Sequence, residues 1–216
     1  VLVGSFDGNL YAVDTHTGEE QWRFETGGEI LSSPTVTNGV VFFGSYDTNV
    51  YAIDAESGNE QWSFETDGEV FASPTVSEGI VLIGSRDNRV YAIDAESGEE
   101  QWRFETGGQV RSSPTVVDGN ALFGSYDSRL YSVAVESGEE QWQFGTGNVI
   151  RSSPVVHDGT IFFGSADETV YAVSLEAGEE QWTVDAEGIV ASSATAIDET
   201  VFIGDDTGRL YALDTT

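Results

Sequence analysis

The sequence predicts an all-β protein, a β-propeller of four-stranded antiparallel blades, and three observations carry that prediction. The first is a period of 40 residues kept without insertion, on which Gly4, Gly44, Gly84, Gly124, Gly164 and Gly204 fall in phase. Tyr11, Tyr51, Tyr91, Tyr131, Tyr171 and Tyr211 keep a second phase, and Trp22, Trp62, Trp102, Trp142 and Trp182 a third. A fixed period of about 20–50 residues means one supersecondary unit stacked on copies of itself. The second is the content of one period, four short β-patterned runs separated by turn residues. The third is that no segment of useful length carries a helical period.

One period shows the elements in order. Ser73-Pro-Thr-Val-Ser77 alternates briefly and ends at Glu78-Gly79, a turn signal. Ile80 to Ser85 is a β-branched run stopped by Arg86-Asp-Asn88. Val90 to Asp94 alternates and closes at Ala95-Glu-Ser-Gly98. Glu100 to Glu105 alternates again and ends at Gly107-Gly108. Four strands of this kind joined by turns make an antiparallel meander, and a meander repeated at about 40 residues is a propeller blade. With the strands called A to D from the axis outward, the chain holds five A, six B, six C and five D strands. A closed ring of six blades needs one more inner and one more outer strand. The expectation is therefore about six blades with incomplete closure, or a segment of a seven- or eight-bladed ring. A single domain spans 1–216: a partial blade 1–26, full blades 27–66, 67–106, 107–146 and 147–186, and a partial blade 187–216.

The units also share the pattern Ala-x-Asp-x-x-Ser/Thr-Gly-x-x-x-Trp, seen at Ala12, Asp14, Gly18, Trp22, at Ala52, Asp54, Gly58, Trp62, and at Ala92, Asp94, Gly98, Trp102. This resembles the tryptophan-docking motif of quinoprotein-type (PQQ-like) β-propeller repeats. With the Ser-Ser-Pro-Thr-Val and Val-Phe-Phe-Gly-Ser segments, the resemblance covers essentially the whole chain. It implies that Trp22, Trp62, Trp102, Trp142 and Trp182 are structural and hold neighbouring blades together. The physics agrees: an Asp in a turn accepts backbone N–H bonds, Gly supplies positive φ, and an outer Trp covers a large apolar area. Ala134 and Ser174 replace the Asp in two copies, where weaker turns are expected.

Charge bounds the environment. Asp and Glu number 38 against 8 basic residues, all of them arginine, for a net charge of −30. Such a charge destabilises a compact state by self-repulsion unless salt screens it, and in molar salt the Debye length is about 3 Å. An acidic surface without lysine reads as adaptation to high salt, hence a haloarchaeal source. It disfavours nucleic acid and anionic membranes as partners. Hydrophobic content is 39%, but no run is long and apolar enough to span a bilayer, so no direct membrane insertion is expected. Cysteine is absent, which removes disulfides and thiolate metal sites. The chain opens on Val1 in mid-pattern, so a preceding segment is expected, and the resemblance suggests an extracellular or cell-envelope location.

Function is expected where the scaffold varies. In such a blade the D–A and B–C connections lie on one face and the A–B and C–D connections on the other. The second face takes most acids and no arginine. The first carries Arg86, Arg89, Arg111, Arg129, Arg151 and Arg209, with Tyr46 and Tyr126 at a B–C position that varies. The slot before each inner strand reads Leu31, Phe71, Arg111, Arg151 and Ala191 between unchanging neighbours. Variation on a regular frame is where loops carry individuality. Arg111 and Arg151, in adjacent blades, are expected to clamp an anion or carboxylate, competing with the plainer reading that arginines pair with Asp87, Asp127 or Asp167. Arg23 and Arg103, on outer strands, are expected to cover apolar surface.

No catalytic, metal or cofactor site is legible. His16 and His157 fall in turns of different blades, no nucleophile turn is present, and no run has calcium-loop spacing. The favoured expectation is a non-enzymatic scaffold or sensor module that binds a protein or small anionic ligand on the arginine and tyrosine face. The alternative is a fragment of a quinone-dependent dehydrogenase. That class pairs an axial carboxylate and a stacking Trp with its cofactor, whereas here every Trp stands in the docking position.

Overall fold

The computed structural model describes residues 1–215, and the chain divides into two compact units, Val1–Glu105 and Thr106–Thr216. Each unit contains three antiparallel sheets in which consecutive strands are neighbours. The first unit has β1 (Leu2–Gly4), β2 (Asn9–Val13) and β3 (Glu20–Glu25), then β4 (Thr35–Thr37), β5 (Val40–Gly44), β6 (Asn49–Asp54) and β7 (Glu60–Glu65). Its third sheet is β8 (Thr75–Ser77), β9 (Ile80–Gly84), β10 (Arg89–Asp94) and β11 (Glu100–Glu105). The second unit has β12 (Thr115–Val117), β13 (Asn120–Gly124), β14 (Arg129–Ala134) and β15 (Glu140–Gly145). It continues with β16 (Val155–His157), β17 (Thr160–Gly164), β18 (Thr169–Ser174) and β19 (Glu180–Asp185), and with β20 (Thr195–Ile197), β21 (Thr200–Gly204) and β22 (Leu210–Asp214). The first and last sheets have three strands, and the other four have four.

Inner strands are three residues long, shorter than the sequence pattern suggests. Proline has no N–H for a ladder, and the serines beside it bond sideways. Ser33 N donates to Ser73 Oγ (2.8 Å) and Thr35 Oγ1 to Pro74 O (2.6 Å), each on the next blade. In the second unit Ser113 N reaches Ser153 Oγ (2.9 Å) and Thr115 Oγ1 reaches Pro154 O (2.6 Å). The repeated Ser-Ser-Pro-Thr is thus an interblade hydrogen-bonding strip. The A–B hairpins turn on Asn38-Gly39, Glu78-Gly79, Asp118-Gly119 and Asp158-Gly159, with positive φ at both residues of each pair, as the tight turns that match strand twist require.

The core lies between blades. Leu10 and Ile30 pack with Val41, Phe43, Tyr51 and Ile53 from the next sheet, and Phe42, Val50 and Trp62 pack with Val81, Ile83 and Ile93. In the second unit Leu122, Leu130 and Ile150 meet Ile161, Phe163 and Val173. The glycines ending β1, β5, β13 and β17 (Gly4, Gly44, Gly124 and Gly164) are required by that packing, whereas a Cβ on Gly204 would meet nothing closer than 3.4 Å. A Cβ on Gly164 would lie 2.1 Å from Val190 Cγ1 and 2.6 Å from Val190 O. Gly164→Ala is expected to cost about 1–3 kcal/mol through overpacking. Gly145→Ala, where a Cβ would meet nothing within 4 Å, is the control. Urea melts of both variants check this, and equal midpoints would show that the blade contact yields freely.

Candidate functional site

Two recurring structures hold the loops that carry the variable residues. In the first, Tyr51 Oη donates to Asp47 Oδ2 at 2.7 Å, and Gly27 N, from the preceding D–A connection, donates to the same oxygen at 2.7 Å. Asp127 takes Tyr131 and Gly107 N in the same way (both 2.7 Å), and Asp167 takes Tyr171 (2.8 Å) and Gly147 N (2.7 Å). Burial, aided by the carboxylate each phenol donates to, pushes Tyr91, Tyr131 and Tyr171 up to about 12. These aspartates therefore tie a B–C turn to the connection before it. Among the described residues no ion pair joins an arginine to Asp87, Asp127 or Asp167: Oδ2 of each accepts from a phenol and a backbone amide, and Oδ1 of Asp127 and of Asp167 is buried.

The second structure joins neighbouring blades at the outer edge. Indole Nε1 of Trp22 donates to Ala55 O (3.2 Å), Trp62 to Ala95 O (3.1 Å) and Trp142 to Leu175 O (3.2 Å), each on the C–D turn of the next sheet. A Cβ on Gly58, Gly98 or Gly178 would strike that indole at 2.7, 2.8 and 2.5 Å, and all three glycines have positive φ. Trp102 stands opposite Ala92, and Trp182 opposite Ala172 with its ring 5.6 Å from Phe162. Between the C and D strands the register slips by one residue, so that Ala52 faces Trp62 while Ile53 faces Glu60. Gln61 is the extra residue, and its equivalents recur in the other sheets. This β-bulge escaped the sequence reading, although an unchanging Gln before each Trp was its visible trace. Asp14, Asp54 and Asp94 each accept turn amides at about 2.8 Å. Where Ala134 and Ser174 replace them, the backbone bond from Gly138 N or Gly178 N persists at 2.9 Å.

The variable residues resolve into two clusters, one in each unit. In the first unit Tyr46 lies 6.3 Å from the ring of Phe71 and 6.0 Å from the guanidinium of Arg86. Arg86 also pairs with Glu69 at 3.3 Å, so this cluster is largely neutral. Arg89 stands apart, bound to Asp67 (2.7 Å) and Glu105 (3.4 Å). In the second unit the guanidinium carbons of Arg111 and Arg151 lie 4.9 and 5.5 Å from the centre of the Tyr126 ring. Arg111 is half-buried, with Nε donating to Gln109 Oε1 at 3.1 Å, and Arg151 is exposed. Tyr126 N donates to Gln109 O at 2.9 Å, which fixes the turn under the ring. Arg129 begins β14 at the far end of that turn, its charge favoured by the Tyr131 hydroxyl. Arg209 pairs with Glu187. Arg23 and Arg103 do more than cover apolar surface: each binds a carboxylate, Glu20 or Glu100, at 2.8 Å and lies 5.7 Å over Tyr11 or Tyr91.

The sequence reading passed over a groove of about 620 Å³ on the opposite face of the first unit, floored by Val40, Phe42 and Val76 and rimmed by Glu78, Asp94 and Glu96. Among the described residues no three His, Asp or Glu side chains converge as metal ligands. The indoles of Trp22, Trp62 and Trp142 lie against a neighbouring blade.

Blades of this topology, joined by indoles and serines and carrying individuality only in their loops, define a β-propeller repeat scaffold. The chain belongs to the PQQ-type repeat family described as outer membrane protein assembly factor BamB, whose profile matches residues 1–72, 67–153 and 146–216. No curated protein matches it in sequence. Among solved structures it is similar to the computationally designed Ika8 protein, with a TM-score of 0.89 and 19% identity over 99% of this chain and 67% of that one. It is also similar to BamB from Moraxella catarrhalis, with a TM-score of 0.64 and 19% identity over 99% of this chain and 81% of that one. At that identity the likeness is one of fold.

Proposed function

We propose that the chain is a non-enzymatic binding module of the cell envelope or exterior, working in high salt, whose partner is a protein docked on the loop face of the second unit. The observation that carries this reading is the sharing of one tyrosine ring by the guanidiniums of Arg111 and Arg151. Six tyrosines, from Tyr11 to Tyr211, sit at the repeat position whose phenol serves an aspartate. Tyr126 stands outside that series, and its hydroxyl has no hydrogen bond among the described residues. Arginine and tyrosine are also the residues most enriched where proteins meet. Membership in a family described by an assembly factor favours a scaffold over an enzyme.

The test is recovery of partners from an envelope extract in molar salt by immobilised chain and by its Arg111→Ala/Arg151→Ala variant. Loss of a specific partner with the variant is expected, and equal recovery would retire the face. Quinone and calcium added to the same protein should leave its absorbance and melting temperature unchanged. A stoichiometric shift would favour the dehydrogenase reading instead.

A further inference from the structure

The partner's chemistry can be taken further, on the footing of the docking face just proposed. Acids held elsewhere in the repeat are missing around the turn that carries Tyr126. Where two earlier blades have Glu29 and Glu69, these have Gln109 and Val149. Where the three preceding outer strands end in Glu25, Glu65 and Glu105, the next ends in Gly145. That glycine faces Arg129 in the ladder, whereas Glu105 faces Arg89 and binds it at 3.4 Å. The consequence is visible in the ion pairs. Arg23, Arg86, Arg89, Arg103 and Arg209 each hold a carboxylate. Arg129 and Arg151 form no ion pair among the described residues. Asp127, the acid inside the turn, commits Oδ2 to Tyr131 and Gly107 N, and its Oδ1 is buried.

We infer that Arg111 and Arg151, whose guanidiniums share the Tyr126 ring, form with Arg129 at the far end of the same turn a carboxylate-reading site whose ligand is an acidic segment of the partner polypeptide. A guanidinium presents a planar fork that matches a carboxylate through two parallel hydrogen bonds. Gln109 and the Tyr126 ring hold the Arg111 fork in place before a ligand arrives, which reduces the ordering cost of binding. The exposed Arg151 belongs to the adjacent blade, so the cationic surface spans two loops and suits an extended segment presenting successive acids. The net charge of −30 does not forbid this. At a Debye length of about 3 Å distant acids are screened, and only the nearest charges act.

Fluorescence anisotropy of a labelled hexaglutamate peptide with the full chain in 1 M KCl tests the inference. Saturable binding is expected, with none for hexaglutamine. Arg111→Lys/Arg151→Lys keeps the charge but loses the forks, and should weaken binding on the order of tenfold or more, since hydrogen bonds to charged groups are individually strong. Arg129→Gln should weaken it several-fold. Arg23→Gln/Arg103→Gln should leave it unchanged, and far-UV spectra should show every variant folded. Lysine variants that bind as the parent does would overturn the assignment, as would inorganic phosphate that competes better than glutamate. If a partner is still lost with Arg111→Ala/Arg151→Ala while hexaglutamate fails to bind, the acidic-segment inference falls and the docking face stands. If neither responds, both fall.

Discussion

Replacing Trp62 with alanine is expected to lower the stability of the first unit by about 3–5 kcal/mol, the range for deleting a large buried aromatic. Trp62 is 8% exposed. Its indole fills the space over Gly98, donates to Ala95 O at 3.1 Å and lies 5.8 Å from the ring of Phe42. Truncation removes that area, opens a void between two blades and leaves a half-buried carbonyl without its donor. Trp22→Ala makes the comparison informative. The same hydrogen bond exists at 3.2 Å, but the ring is only half-buried, so a smaller loss is expected. Denaturant melts followed by tryptophan emission and by far-UV signal measure both. A Trp62→Ala midpoint indistinguishable from the parent's would mean that the indole does not hold the blades together.

Dilution from molar salt to about 50 mM is expected to unfold the chain. The formal charge is −30, with only 8 basic residues to offset 38 acids. The ion pairs that form are mostly exposed, as at Arg23–Glu20 and Arg209–Glu187, where a pair contributes at most about 1 kcal/mol. They do not offset the repulsion among the remaining acids. Screening does: the Debye length is about 3 Å at 1 M and about 10 Å at 0.1 M, so carboxylates on neighbouring turns interact only in the weaker salt. The far-UV β signal should be lost on dilution and return on adding KCl. A chain that keeps its full signal and melting temperature at 50 mM would remove the high-salt element of the proposed function while leaving the docking face untouched.

The legible part of this protein was the part that repeats. Phase-locked Gly, Tyr and Trp at a spacing of 40, together with turn pairs such as Glu78-Gly79, placed every strand between its turns, because local backbone preference and period act within a few residues. The one outer strand delimited from sequence, Glu100–Glu105, is matched to the residue. Inner strands were overestimated, as at Thr75–Ser77, because the serine and threonine groups of the Ser-Ser-Pro-Thr strip bond to a segment 40 residues away, and no local pattern reports that. The β-bulge at Gln61 was missed for a similar reason: it exists to aim Trp62 across a blade boundary.

The candidate site was legible as a list of residues and illegible as an arrangement. Arg111 and Arg151 stood out because they break a regular column, but Tyr126 as the ring between them emerged only from the packing of two loops. Arginine does not pair with Asp87, Asp127 or Asp167 among the described residues because phenols and amides fixed by the fold occupy Oδ2 of each and Oδ1 of Asp127 and of Asp167 is buried, whereas Arg89 binds Asp67 on the neighbouring connection.

Sequence alone determined the blade, its period and its charge, since each depends on residue type and local spacing. Tertiary structure decided which carboxylates meet guanidiniums, why Gly164 tolerates no side chain, and where two arginines share one ring. Those outcomes depend on distances across blades, which are set by how large side chains interlock at close-packed density and not by the order in which residues follow one another.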